Sequence, residues 1–161
     1  MQPTDNPART VRAAGAERYR LSPTDTVVIH HAGGPDGIDV MEETFGHLDG
    51  PPLHVHHDSD SYDLVLDGQV RFQVGDEQID AGPGDFVFTP RRMPHTFVNL
   101  SEVSARVLNV HAPGGFSGFF AELATAMGEG APDPGLIAPI AARYDAELLG
   151  PPLAATAGTE A

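Results

Sequence analysis

The stretch that decides the reading of this chain is GPPLHVHHDSDSYDLVLDG, Gly50 to Gly68. On an extended strand His54 and His56 project from one face, about 7 Å apart along the chain, and His57 points the other way. Two imidazoles so spaced can converge on one ion, each nitrogen lying about 2.1 Å from it. A third ligand must come from elsewhere in the sequence. TPRRMPHTFVN, residues 89–99, offers His95 on a strand entered just after Pro94, with Phe97 and Asn99 on its face. A single histidine near a turn is usually a surface residue. A His-x-His pair opening a hairpin, with a proline-positioned histidine downstream, reads as a divalent-metal site.

Outward from that stretch the sequence is a series of short apolar segments cut by turns. TDTVVIHHAGG and GIDVMEETF are strands on either side of Gly33-Gly34-Pro35. YDLVLDGQVRFQVGDEQI reads as consecutive hairpins turning at Asp67-Gly68 and Gly75-Asp76. Val70, Phe72 and Val74 alternate with Arg71 and Gln73, the period of a half-buried strand. GPGDFVFTP and ARVLNVHAP add two more strands. So many short strands predict an all-β sandwich or small barrel rather than an α/β sheet.

After Pro113-Gly114-Gly115 the texture changes. FSGFFAELATAM places Phe116, Phe119, Phe120 and Leu123 at helical spacing, and LIAPIAARYDAELLGPP reads as a second helix over 136–149. The expected organisation is an arm at 1–15, a barrel at 16–115, and a helical cover and tail at 116–161.

Composition narrows the function classes. The chain has 161 residues, no cysteine and a formal charge of −14. All nine basic residues are Arg, and Arg9, Arg12, Arg18 and Arg20 fall in the first twenty positions. Disulfides and thiol nucleophiles are excluded. Nucleic acid and anionic membrane are poor partners for so acidic a body. With no long apolar run and no apolar leader, the expectation is a cytoplasmic protein acting on a small molecule.

The two histidine stretches together resemble the two motifs of the cupin family. The first is met by His54, His56, Ser61 and Gly68, the second by Gly84, Pro90, Arg92, His95 and Asn99. The resemblance spans about residues 45–112, and its texture is similar to small single-domain bacterial cupins of the quercetin-dioxygenase-like type. It implies a double-stranded β-helix, or jelly-roll, barrel that binds its metal inside and is commonly a homodimer. His54, His56 and His95 would be the ligands; the ion could be Fe, Ni, Mn or Zn, or the site could have lost it. Two positions depart from the family pattern: its Glu ligand is Ser61, and its second-motif Gly is Arg92.

Three neutral imidazoles without a carboxylate leave a divalent ion at +2, a stronger Lewis acid but a weaker-held metal. Asp63, two residues after Ser61, faces the interior on a regular strand. A buried carboxylate there must bind metal, accept hydrogen bonds or titrate high. Asp63 and Ser61 are therefore the candidate catalytic residues, and Arg92 and Phe97 the candidate substrate contacts. Arg91, Asp58 and Asp60 read as surface groups, and His30, His31, His47 and His111 as structural or surface histidines. The resemblance implies dioxygenation of an enolisable or aromatic molecule. Two further expectations are a non-redox cyclase, isomerase or lyase of natural-product tailoring, and a barrel that binds a ligand without turnover.

Overall fold

A computed structural model describes residues 10–131 and 133–153. The first nine residues of the expected arm and the last eight of the expected tail lie outside that range.

Eleven strands are described: β1 (Glu17–Arg20), β2 (Thr26–Ala32), β3 (Asp39–Phe45), β4 (Pro52–His56), β5 (Asp60–Asp67), β6 (Val70–Val74), β7 (Glu77–Ala81), β8 (Phe86–Thr89), β9 (His95–Asn99), β10 (Ala105–Ala112) and β11 (Ala146–Pro152). They form a six-stranded sheet ordered β1-β2-β3-β10-β5-β8 and a five-stranded sheet ordered β11-β4-β9-β6-β7, with antiparallel pairings throughout. This is the jelly-roll arrangement expected from the sequence. Two helices follow the barrel strands: α1 (Gly118–Met127) and α2 (Pro134–Ala141).

The second helix is shorter than its pattern predicted. It ends at Ala141, a 3-10 turn covers Ala142–Tyr144, and Asp145 takes a left-handed backbone, φ 65°. The chain then becomes β11, where exposure alternates from Ala146 onwards as on a half-buried strand. The expected helix over 136–149 is thus half strand. AELL has good helix propensity, but pairing with β4, Leu148 opposite His54, overrides it. Asp145 fixes the junction by accepting the backbone N–H groups of His57, Asp58 and Ser59 and the Ser59 hydroxyl.

Two apolar clusters fill the interior. Phe45, Val65, Val70, Phe72, Val87, Phe97 and Val107 pack at one end. At the other, Phe119, Phe120, Leu123, Ile137 and Ile140 of the helices pack on Val27, Ile29 and Met41 of the six-stranded sheet. The helices therefore cover a barrel face, as their aromatic spacing predicted.

One buried acid ties the helical cover to the sheet. Asp39 is fully buried, and its carboxylate accepts the N–H groups of Gly33, Gly115 and Ser117 at 3.0, 2.8 and 2.8 Å. Gly114 crosses the same carboxylate so closely that a Cβ there would lie 2.5 Å from Oδ1, so no other residue fits. Asp39→Ala leaves three backbone donors without their acceptor, that of Ser117 buried and those of Gly33 and Gly115 part-buried. It is expected to lower unfolding free energy by about 3 kcal/mol, read by urea denaturation, with the loss of a cooperative transition as the extreme case.

Candidate active site in the barrel

The register of the strands assembles the site. β4 and β9 meet at one bridge, His54 opposite His95, and His56 follows His54 on the same inward face. Ligand nitrogens of the three imidazoles lie within 4.8 Å of one another. In the opposite sheet, β5 and β10 run antiparallel with Ser61 opposite His111, Asp63 opposite Asn109 and Val65 opposite Val107. β8 adds Thr89 beside Ser61 and Val87 beside Asp63. The interior thus grades from polar rows at the site to apolar rows in the core.

Two of the three imidazoles have their tautomer set by the backbone. His54 Nδ1 lies 2.8 Å from the Pro52 carbonyl, and His95 Nδ1 lies 2.9 Å from the Met93 carbonyl. A carbonyl only accepts, so each Nδ1 carries the proton and each Nε2 keeps its lone pair. A backbone carbonyl behind the ring is the usual support of a metal-ligating histidine. Burial, followed by neighbouring imidazoles, holds His54 and His56 well below the ordinary histidine pKa, and burial lowers His95 as well. All three are neutral near pH 7, the form a metal requires. This donor set fits a divalent borderline ion such as Zn, Fe or Ni.

Asp63 faces inward and is 3% exposed. Its carboxylate accepts Asn109 Nδ2–H at 2.6 Å and the Ser61 hydroxyl at 3.2 Å, while Asn109 also donates to Ser61 Oγ at 2.9 Å. Burial pushes its pKa up to about 6, against the downward pull of those two hydrogen bonds. Ser61 therefore orients Asp63, and Asn109, absent from the sequence reading, anchors both.

These residues open on a cavity of about 170 Å³. Phe97 lines it, as does an aromatic roof of Phe116, Phe119 and Phe120. Phe116 sits edge-on to His56, ring centroids 4.5 Å apart, and stacks on His111 at 4.9 Å. Asp25, Glu43 and Asp49 line the cavity too, and among the described residues no Arg does. Burial and then Asp49 raise Asp25 to about 7; burial, then Asp25, Asp63 and Asp49, raise Glu43 well above the usual carboxylate range. The sequence reading missed His111, Asn109 and Glu43. The signal was present: positions 105, 107, 109 and 111 share one face of β10, and the first two are Ala and Val.

Arg92 does not line the cavity. It occupies the position of a family glycine with a left-handed backbone, φ 67°, at the turn between β8 and β9. Its N–H binds the His56 carbonyl at 2.7 Å, and its exposed side chain reaches back to the His57 carbonyl at 3.4 Å. The geometry gives the expected substrate contact at Arg92 no support. His57 faces out to Glu147, and Arg91 pairs with Asp60, both as read from sequence.

Residues 42–111 match the cupin domain. The fold is likewise that of the cupin jelly roll. No curated protein matches the sequence. Among solved structures, the TT1209 protein of Thermus thermophilus is 26% identical with a TM-score of 0.52, covering 57% of this chain and 87% of its own. KdgF from a Halomonas species is 17% identical, TM-score 0.57, over 66% and 94%. The polyketide cyclase RemF from Streptomyces resistomycificus is 22% identical, TM-score 0.54, over 65% and 78%. The last two likenesses are of fold alone. Among the described residues no helix is long and apolar enough to cross a membrane.

The Asp63 assignment makes a stability prediction. Its folded value, about 6, lies above the ordinary 3.9, so the native state holds this proton more tightly than the unfolded chain. Ionisation of Asp63 therefore destabilises the fold as pH rises from about 4 to 6. In chelator-treated protein, Asp63→Asn should gain stability over wild type through that window and keep the gain at pH 8. Urea melts at pH 4, 6 and 8 check this; a gain independent of pH would contradict it.

Proposed function

We propose that this cupin is a metal-dependent acid–base enzyme that rearranges a small, largely apolar carbonyl compound by proton transfer, in a cyclisation or isomerisation. The observation that carries this reading is Asp63: a carboxylate inside an apolar cavity, oriented by Asn109 and Ser61 and titrating at about 6. A general base works best with a pKa near the working pH, and burial supplies that shift here.

An ion bound by His54, His56 and His95 would supply Lewis acidity to a substrate oxygen. Asp63 takes a proton from the carbon next to the carbonyl; the C–H electron pair becomes the new C=C bond and the C=O π pair moves onto the oxygen. The same carboxyl then returns the proton at the new position. Asn109 and Ser61 keep the carboxylate aimed, and the Phe116–Phe119–Phe120 roof holds an aromatic or polyketide-like skeleton and excludes water.

The dioxygenation implied by family resemblance has no observation of its own in the site, whereas proton transfer has Asp63. RemF, a polyketide cyclase, shows that a barrel of this fold can host a cyclase. A barrel that only binds its ligand has no need of a pinned carboxylate with a raised pKa.

The test is solvent deuterium exchange into aromatic 1,3-diketones, followed by NMR and corrected for the spontaneous rate. Enzyme-dependent exchange should rise with pH through about 6 as Asp63 ionises, and fall about 100-fold or more in Asp63→Asn with metal content unchanged. Oxygen consumed in step with turnover, or full exchange by Asp63→Asn, would overturn the reading.

A further inference from the structure

Beside the three imidazoles stands a fourth. His111 is 3% exposed, lines the same cavity, and holds its ring edge-on to His56 with centroids 4.5 Å apart. It reaches there from the other sheet: β10 sets it directly across from Ser61, so both side chains project into the barrel at one level. Its Nδ1 is buried with no hydrogen-bond partner, as is that of His56. The carboxylate of its cross-strand partner Asp39 is occupied by the three backbone N–H groups of Gly33, Gly115 and Ser117.

Each buried imidazole in this arrangement needs an explanation, since a polar ring placed in the interior without a partner is unfavourable. His54 and His95 have one in the backbone carbonyls behind them. His111 has none for its Nδ1 among the described residues. A packing role alone would be served as well by an apolar ring, because Phe116 stacks on His111 through its face. What an imidazole adds is a nitrogen lone pair beside His56, and burial with the His95 and His54 rings keeps it neutral.

We propose that His111 is a fourth imidazole ligand of the metal centre, delivered from the six-stranded sheet to an ion that His54, His56 and His95 hold from the five-stranded one. The proposal rests on the reading of those three as a metal site. In this structure the His111 nitrogens stand outside the 4.8 Å group of the other three, one ring further out past His56. Coordination therefore takes a change of rotamer at His111, which lines the cavity. A fourth neutral nitrogen would fasten the ion to both sheets and hold affinity that three imidazoles alone would lack.

X-ray absorption on cobalt-loaded wild-type protein counts the imidazoles directly and needs no variant. Four are expected; three would overturn the proposal while leaving the three-histidine site intact. Cobalt titration adds a second readout through the visible d–d bands. His111→Ala should weaken binding at least about tenfold and change the band shape. In that background Ser61→Glu, acting from the paired position, should restore affinity, and circular dichroism confirms that each variant is folded. Unchanged affinity and spectrum in folded His111→Ala would sink the fourth ligand alone. Wild-type protein that takes up no cobalt would sink it together with the metal site beneath it.

Discussion

The site depends on one bridge, the pairing of His54 on β4 with His95 on β9. These residues lie far apart in sequence, and each reaches the bridge through the same local device. A proline-bearing turn brings the chain in, and the imidazole turns back onto the carbonyl two residues earlier, Pro52 in one case and Met93 in the other. A one-residue slip of either strand would send its histidines to the outer face. The neighbouring pairings, β11 on β4 and β6 on β9, hold the register from both sides.

The opposite sheet supplies what the bridge lacks. Its rows place Ser61 with His111 and Asp63 with Asn109, so a buried carboxyl and a fourth imidazole face the triad across one cavity. Buried carboxyls and imidazoles share this space, with no Arg among the described residues that line it. In such surroundings the carboxyls titrate high and the imidazoles stay neutral, the reverse of their surface behaviour. Neutral nitrogens suit a metal, and a carboxylate poised near pH 6 suits proton transfer. The same absence of cationic side chains leaves a bound ion as the main positive charge available to a substrate oxygen.

Much of this was legible in the sequence because strand period and motif spacing are local. The triad, the inward turn of Asp63, the hairpins at Gly68 and Gly75 and the aromatic cover all follow from patterns a few residues long. What was not legible depends on pairing. The period of β10 turns His111 and Asn109 inward, but they gain their meaning from the residues opposite them on β5, which the sequence of β10 does not name. AELL reads as helix until β4 is there to pair with it. Arg92 looked like a clamp beside His95, but the left-handed backbone it shares with the family's glycine position places its side chain on the surface.

The central claim is that three imidazoles hold a metal although the usual carboxylate position is Ser61. Elemental analysis of protein purified without chelator or affinity-tag nickel tests it most directly, with His95→Ala alongside. The account predicts close to one divalent ion per chain in wild type and almost none in the variant. Wild-type protein that is empty as purified and stays empty after incubation with Zn, Fe, Ni and Mn would contradict it.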